Sequence, residues 1–125
     1  MTMVLPIALT CGEPAGIGPE LAVAARASLG KAVPFFWMGD PRHLPPGTAF
    51  QEILSPQAAS AVPDQLLPVL RHEFAAPSSP GQPNPANAAG IIDVIARAVD
   101  LVQHGHASAG GAEAGRQPAL PRLPA

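Results

Sequence analysis

Chemistry in this sequence would concentrate in residues 12–20, Gly-Glu-Pro-Ala-Gly-Ile-Gly-Pro-Glu, between a short apolar run and a helical stretch. Gly12, Gly16 and Gly18 permit left-handed backbone and let a ligand approach bare amides. A helix starting near Pro19 would aim its unpaired N–H groups and positive dipole end at the same place, which suits phosphate. The spacing is neither Gly-x-Gly-x-x-Gly nor a loop closing on Gly-Lys-Ser/Thr, so neither common nucleotide fingerprint is present. On the residues alone, a tight strand-to-helix turn and a phosphate loop both satisfy the pattern.

The remaining reactive side chains are scattered. Cys11 stands just before the loop, where a helix N-terminus could depress a thiol pKa. A nucleophile needs a general base, and the sequence nominates none, so Cys11 also reads as a small buried residue at a strand end. Glu13 and Glu20 have no spacing that marks an acid–base pair. His43 lies in a proline-rich stretch, His72 follows an apolar run, and His104 and His106 close a helix. The His-x-His pair has no third ligand in view, and a histidine at a helix C-terminus is well placed for the dipole. No residue is assigned to catalysis or to a metal.

The elements that would position the loop follow from the apolar pattern. Residues 4–9 and 33–38 read as buried strands, and residues 19–29 as a helix with Pro19 in its first turn and Gly30 at its end. Residues 41–65 read as irregular, with one helical turn near 57–61. Residues 66–70 read as an edge strand because Pro68 removes a ladder donor. In residues 85–104, Ala88, Ile91, Ile92, Ile95, Val99 and Val102 trace a helical apolar stripe opposite Asp93, Arg97, Asp100 and His104. Asn84 would cap that helix, Pro85 start it and Gly105 stop it; Asp93 and Arg97, one repeat apart, are expected to pair on its surface.

Composition narrows the class. The 125 residues allow one small domain, and 47% apolar content is enough to build its core. A net charge of -2 gives no electrostatic drive toward nucleic acid or anionic lipid. No apolar run reaches the ~18 residues of a membrane span, and residues 1–14 lack the basic start of a secretory signal. One cysteine excludes an internal disulfide and fits a reducing compartment. Seventeen prolines leave few stretches for long helices or central strands.

Thr10, Gly12, Glu13, Pro14, Ala15, Gly16, Ile17, Gly18, Pro19 and Glu20 match the pattern T-x-G-[DE]-P-A-G-I-G-P-[DE], so the chain resembles the 4-hydroxythreonine-4-phosphate dehydrogenase family of vitamin B6 biosynthesis. Residues 81–105 resemble the family's later glycine-led helix, and similarity runs over roughly residues 5–107. The resemblance implies an α/β fold, a partial α/β/α sandwich of the isocitrate/isopropylmalate dehydrogenase-like type. It implies NAD-dependent oxidation, with decarboxylation, of 4-phosphohydroxy-L-threonine, a small phosphorylated hydroxy-amino acid. It further implies a divalent metal, a homodimer, a cytoplasmic location, and no nucleic-acid or membrane partner. Gly12, Glu13, Gly16 and Gly18 would form a cleft-facing, cofactor-binding loop.

The metal-holding histidines of the family lie further along its chain than any position matched here. Residues 1–108 therefore read as the N-terminal portion of the dehydrogenase α/β domain, inactive alone. Residues 109–125, 13 of whose 17 residues are Ala, Gly, Pro or Arg, read as an aberrant or disordered tail of a truncated or frameshifted sequence. The alternatives are a non-catalytic fragment and a small phosphate- or nucleotide-binding module. With three candidate strands and two helices, apolar faces are expected to stay bare and the chain to be marginally stable or oligomeric.

Overall fold

The computed structural model describes residues 4–108. The expectation for residues 109–125 lies outside them. Four strands, β1 (Ile7–Thr10), β2 (Phe35–Gly39), β3 (Phe50–Ile53) and β4 (Leu67–Arg71), form one all-parallel sheet in the order β1-β2-β4-β3. Two helices, α1 (Gly18–Leu29) and α2 (Ala88–Gln103), complete the fold. Ser108, beyond α2, bridges Ile7 in parallel on the outer side of β1.

The β1–α1–β2 crossover steps one way across the sheet, and the β4–α2–Ser108 crossover returns the other way. Both are right-handed by the general rule for parallel connections, so α1 and α2 lie on opposite faces. Ile7, Leu9, Phe35, Trp37, Leu67 and Val69 share the α1 face by strand alternation and register. β2 is buried along its whole length, as a doubly covered strand should be.

Four sequence readings are corrected. β1 begins at Ile7 rather than residue 4, since Pro6 lies outside the strand and contributes its C=O to the Ser108 N–H at 2.8 Å. β3, with exposed Phe50, Gln51 and Glu52, was hidden among polar and proline residues; as an edge strand it needs no continuous apolar run. β4 lies inside the sheet, not at its edge. The Leu67 N–H donates to Ala49 and the His72 N–H to Gly39, so alternation turns the Pro68 nitrogen toward β2. The β2 ladder starts one residue later, at Trp37↔Val69, and the proline costs no paired rung.

The fourth correction concerns α2. Asn84 accepts from the Ala86 N–H at 2.9 Å and Gly105 adopts φ 76°, so both ends fall where expected, after a single 3₁₀ turn at Pro85–Asn87. The buried side, however, is Val94 and Ala98, flanked by Ile91, Leu101 and Val102; Ile92, Ile95 and Val99 are exposed. Apolar residues occupy more of the circumference than one sheet can cover, and periodicity alone does not say which part faces inward. Arg97 does not pair with Asp93. It donates to the Arg71 carbonyl at 2.7 Å and lies 3.2 Å from His72 Nδ1.

Beneath α1 sits a buried cation. Arg26, 4% exposed, donates to the carbonyls of Leu66 (2.8 Å), Gly30 (3.2 Å), Val62 (3.1 Å) and Pro63 (3.0 Å). A planar five-donor fork can serve four carbonyls at once, one at Gly30 and three along residues 62–66, which a three-donor ammonium cannot. Without it the Val62 carbonyl would be buried unpaired and the other three would lose a charged donor. Arg26→Met is therefore expected to destabilise the chain by at least about 3 kcal/mol, with Arg26→Lys recovering less than half. Urea unfolding followed by Trp37 fluorescence checks this; equal midpoints for Arg26 and Met would refute the role.

Candidate functional site

The loop between β1 and α1 begins with a sharp reversal. Gly12 has φ 65°, and a Cβ there would meet no atom within 4 Å, so this glycine is required by backbone conformation alone. Gly16 and Gly18 serve differently. A Cβ on Gly18 would lie 2.5 Å from the Cys11 carbonyl, and one on Gly16 3.3 Å from the Glu13 carbonyl. These two are present for close packing of the loop against itself, not for left-handed backbone. Glu13 is exposed and folds back, its Oε2 accepting from the Ala15 N–H at 3.0 Å.

α1 starts at Gly18 with Pro19 second, and its N-cap residue Ile17 has no side chain able to cap it. Pro19 carries no N–H, and Glu20 adds an anion to the first turn. The loop lies at the carboxyl end of β1. Ligands in open parallel α/β sheets bind outside the carboxyl ends of the strands.

A strap of backbone holds the loop from beside it. Asp40, 1% exposed at the end of β2, accepts from the Phe74 N–H at 3.0 Å and from Arg42 through its backbone N–H (3.0 Å), Nε and NH2 (2.8 Å). Arg42 NH2 also donates to the Phe74 carbonyl at 2.8 Å. Two residues on, Ala76 donates to Asn87 Oδ1 at 2.9 Å, and its carbonyl lies 2.8 Å from His43 Nε2. Four side chains thus hold both backbone groups of two alternate residues. Further along, the Gly81 N–H donates to the Ala15 carbonyl at 2.8 Å, tying the strap to the glycine loop. Sequence reading missed Asp40, Asn87 and the role of His43, because no local motif marks partners 11 to 34 positions apart.

Cys11 is 1% exposed, and burial, with the Glu13 and Asp40 carboxylates adding to it, pushes its thiol up to about 11. The thiol donates weakly to the Gly12 carbonyl at 3.5 Å. Of the two readings open to Cys11, the small buried residue at a strand end is the one found. Among the described residues no three His, Cys, Asp or Glu side chains come together in a way that would hold a metal. His104 instead approaches the Asp100 carbonyl at 2.9 Å, one turn back along α2.

The loop and the strap each carry an expected outcome. Gly18→Ala should cost about 1–3 kcal/mol by forcing the loop off the Cys11 carbonyl, and Gly16→Ala less than 1, compared by thermal unfolding. Burial pushes the Asp40 carboxyl up, but hydrogen bonds from Arg42 and the Phe74 N–H outweigh it and hold the group at about 2, against 3.8 for a free side chain. Its contribution is complete above pH 4 and is lost as pH falls through 2. The acid limb of the stability curve should therefore be shallower in Asp40→Asn, by about 2 kcal/mol across that range.

No family model matches the chain. Curated relatives do. It is 59% identical over 104 residues to a 4-hydroxythreonine-4-phosphate dehydrogenase of Roseobacter denitrificans, covering 83% of this chain and 32% of the relative. It is 60% identical over 111 residues to the Paracoccus denitrificans enzyme of the same name, covering 89% and 32%. Among solved structures, the 4-hydroxythreonine-4-phosphate dehydrogenase of Klebsiella pneumoniae superposes with a TM-score of 0.72 at 28% identity, over 83% of this chain and 35% of that one. The chain thus spans about a third of the length of the relatives it matches, and the four parallel strands with their two helices are part of an isocitrate dehydrogenase-like α/β fold. By sequence and by fold together, this chain is similar to 4-hydroxythreonine-4-phosphate dehydrogenases over about a third of their length.

Proposed function

We propose that this chain carries the glycine loop of an NAD-dependent dehydrogenase site for a small phosphorylated hydroxy-amino acid, 4-phosphohydroxy-L-threonine, in vitamin B6 biosynthesis. The observation that carries this reading is the position of Gly12–Glu20, matched to the family pattern, at the carboxyl end of β1, the end of a parallel sheet outside which ligands bind. The open space over Gly12 and the uncapped start of α1 suit the phosphate of a cofactor or substrate.

NAD, when bound, accepts a hydride from the substrate's secondary alcohol, and the β-keto acid so formed can then lose carbon dioxide. The residues of this chain would bind and orient. Gly12 gives the loop its reversal, Gly16 and Gly18 let it fold closely on itself, and Glu13 holds its bend through Ala15 rather than acting on a proton. The described residues do not fit a divalent cation, so the metal that the family resemblance implies is not assigned to this chain. Residues 1–108 are proposed as one portion of the dehydrogenase domain. The cytoplasmic location and the homodimer are likewise part of the proposal. No helix among the described residues is long and apolar enough to cross a membrane.

The test has two arms. Titration of the purified chain with NAD by calorimetry should show weak binding that Gly12→Ala reduces at least fivefold. Incubation with NAD, Mg²⁺ and 4-phosphohydroxy-L-threonine should yield no NADH. Binding that ignores the Gly12 change would remove the loop from the site, and turnover by the 125-residue chain would overturn its reading as a partial enzyme. Phosphate binding without NAD binding would favour the small-module alternative.

A further inference from the structure

Arg97 reaches from α2 to the carboxyl end of β4 and meets His72 there. One guanidinium nitrogen donates to the Arg71 carbonyl at 2.7 Å and lies 3.2 Å from His72 Nδ1. A guanidinium has donors only, so Nδ1 is the acceptor and the ring's single proton sits on Nε2. A second proton would turn N–H against N–H and set cation against cation. The other charges around the ring do not cancel that conflict. Asp93, also on α2, is exposed, and Arg71 and Glu73 flank His72 in sequence, with Arg71 paired to Glu52 of β3. Past the end of β2, the Asp40 carboxylate is taken up by Arg42 and the Phe74 N–H. Half-burial and the Arg97 cation hold the imidazole below its ordinary pKa of 6.5, with Asp93 opposing them less strongly.

The ring also touches the root of the strap. It stands edge-on to Phe74, with ring centroids 5.8 Å apart. Gly90 of α2 lies against the same Phe74 ring, where a Cβ would come within 2.5 Å of it, and Asp40 and Arg42 hold the Phe74 backbone. We propose that His72 is a proton-operated latch: neutral, it accepts from Arg97 and pins α2 to the root of the strap; protonated, it releases Arg97 and loosens both. The strap in turn holds the glycine loop through Gly81 and Ala15, so acid reaches that loop from a distance. Every contact involved lies among the described residues, and none depends on the cofactor reading.

The experiment uses the full 125-residue chain, ¹⁵N-labelled. At about pH 7.5 the His72 ring nitrogen signals should show Nε2 protonated and Nδ1 bare. On acidification the Phe74 and Gly90 amide signals should move with the His72 midpoint. Arg97→Met should raise that midpoint, because the neighbouring cation is gone. His72→Asn sets an amide oxygen about where Nδ1 stands, an acceptor that does not titrate. A ring that titrates lower when folded confers stability that is complete above about pH 6.5 and lost as pH falls through the folded midpoint. Between about pH 7.5 and pH 5, urea unfolding should therefore show the parent's folding constant falling at least threefold more than that of His72→Asn. A proton on Nδ1 at neutral pH, stationary Phe74 and Gly90 amides, an unmoved midpoint in Arg97→Met, or parallel pH profiles for parent and His72→Asn would each overturn the latch. Should a variant fail to fold, the tautomer and the amide shifts of the parent decide alone.

Discussion

The carboxylate of Asp40 organises the end of the sheet on which every functional reading depends. It is buried where β2 ends, and a buried charge persists only when hydrogen bonds replace the water it gave up. Here they come from Arg42 and the backbone of Phe74, so one side chain fixes both a turn and a distant strap. The strap then reaches the glycine loop through Gly81 and Ala15. The loop's shape is thereby fixed from two sides: by its own glycines and by a segment more than sixty residues later.

The glycines divide the work. One is demanded by backbone conformation and two by contact with carbonyls in their own loop. A similar use of glycine recurs in the core. Gly39 lies under the Trp37 indole and Gly90 under the Phe74 ring, where a Cβ would sit 2.5 Å from each. Gly90 lets α2 approach the strap closely, so the helix that packs against the sheet also seats the segment that holds the loop. Two buried polar atoms, Trp37 Nε1 and His43 Nδ1, find no partner among the described residues.

The fold is well knit inside and open at one flank. Arg26 ties the end of α1 to residues 62–66, and the central strands β2 and β4 are almost wholly buried. Toward the outer side of β1, by contrast, Ile7, Leu9 and Leu29 line an apolar groove among the described residues, and on α2 the side chains of Ile92, Ile95 and Val99 are exposed among them. Bare apolar faces were expected because few elements are there to cover them, and among the described residues Ile92, Ile95 and Val99, part of the apolar stripe read on residues 85–104, are exposed.

By itself the sequence determined the loop and its flanks. The contiguous residues 10–20 carry the family pattern, and the order strand, glycine turn, helix follows from local composition, because backbone freedom and helix capping act over a few residues. The ends of α2 were legible for the same reason. Tertiary structure alone decided that β4 is central, since what matters for Pro68 is which neighbour its nitrogen faces. It decided which side of α2 is buried, since several apolar stripes compete for one sheet. It also decided that Asp40, His43 and Asn87 serve the strap. Hydrogen bonds between residues tens of positions apart leave no spacing to read; they exist only once the sheet has brought the strand ends together.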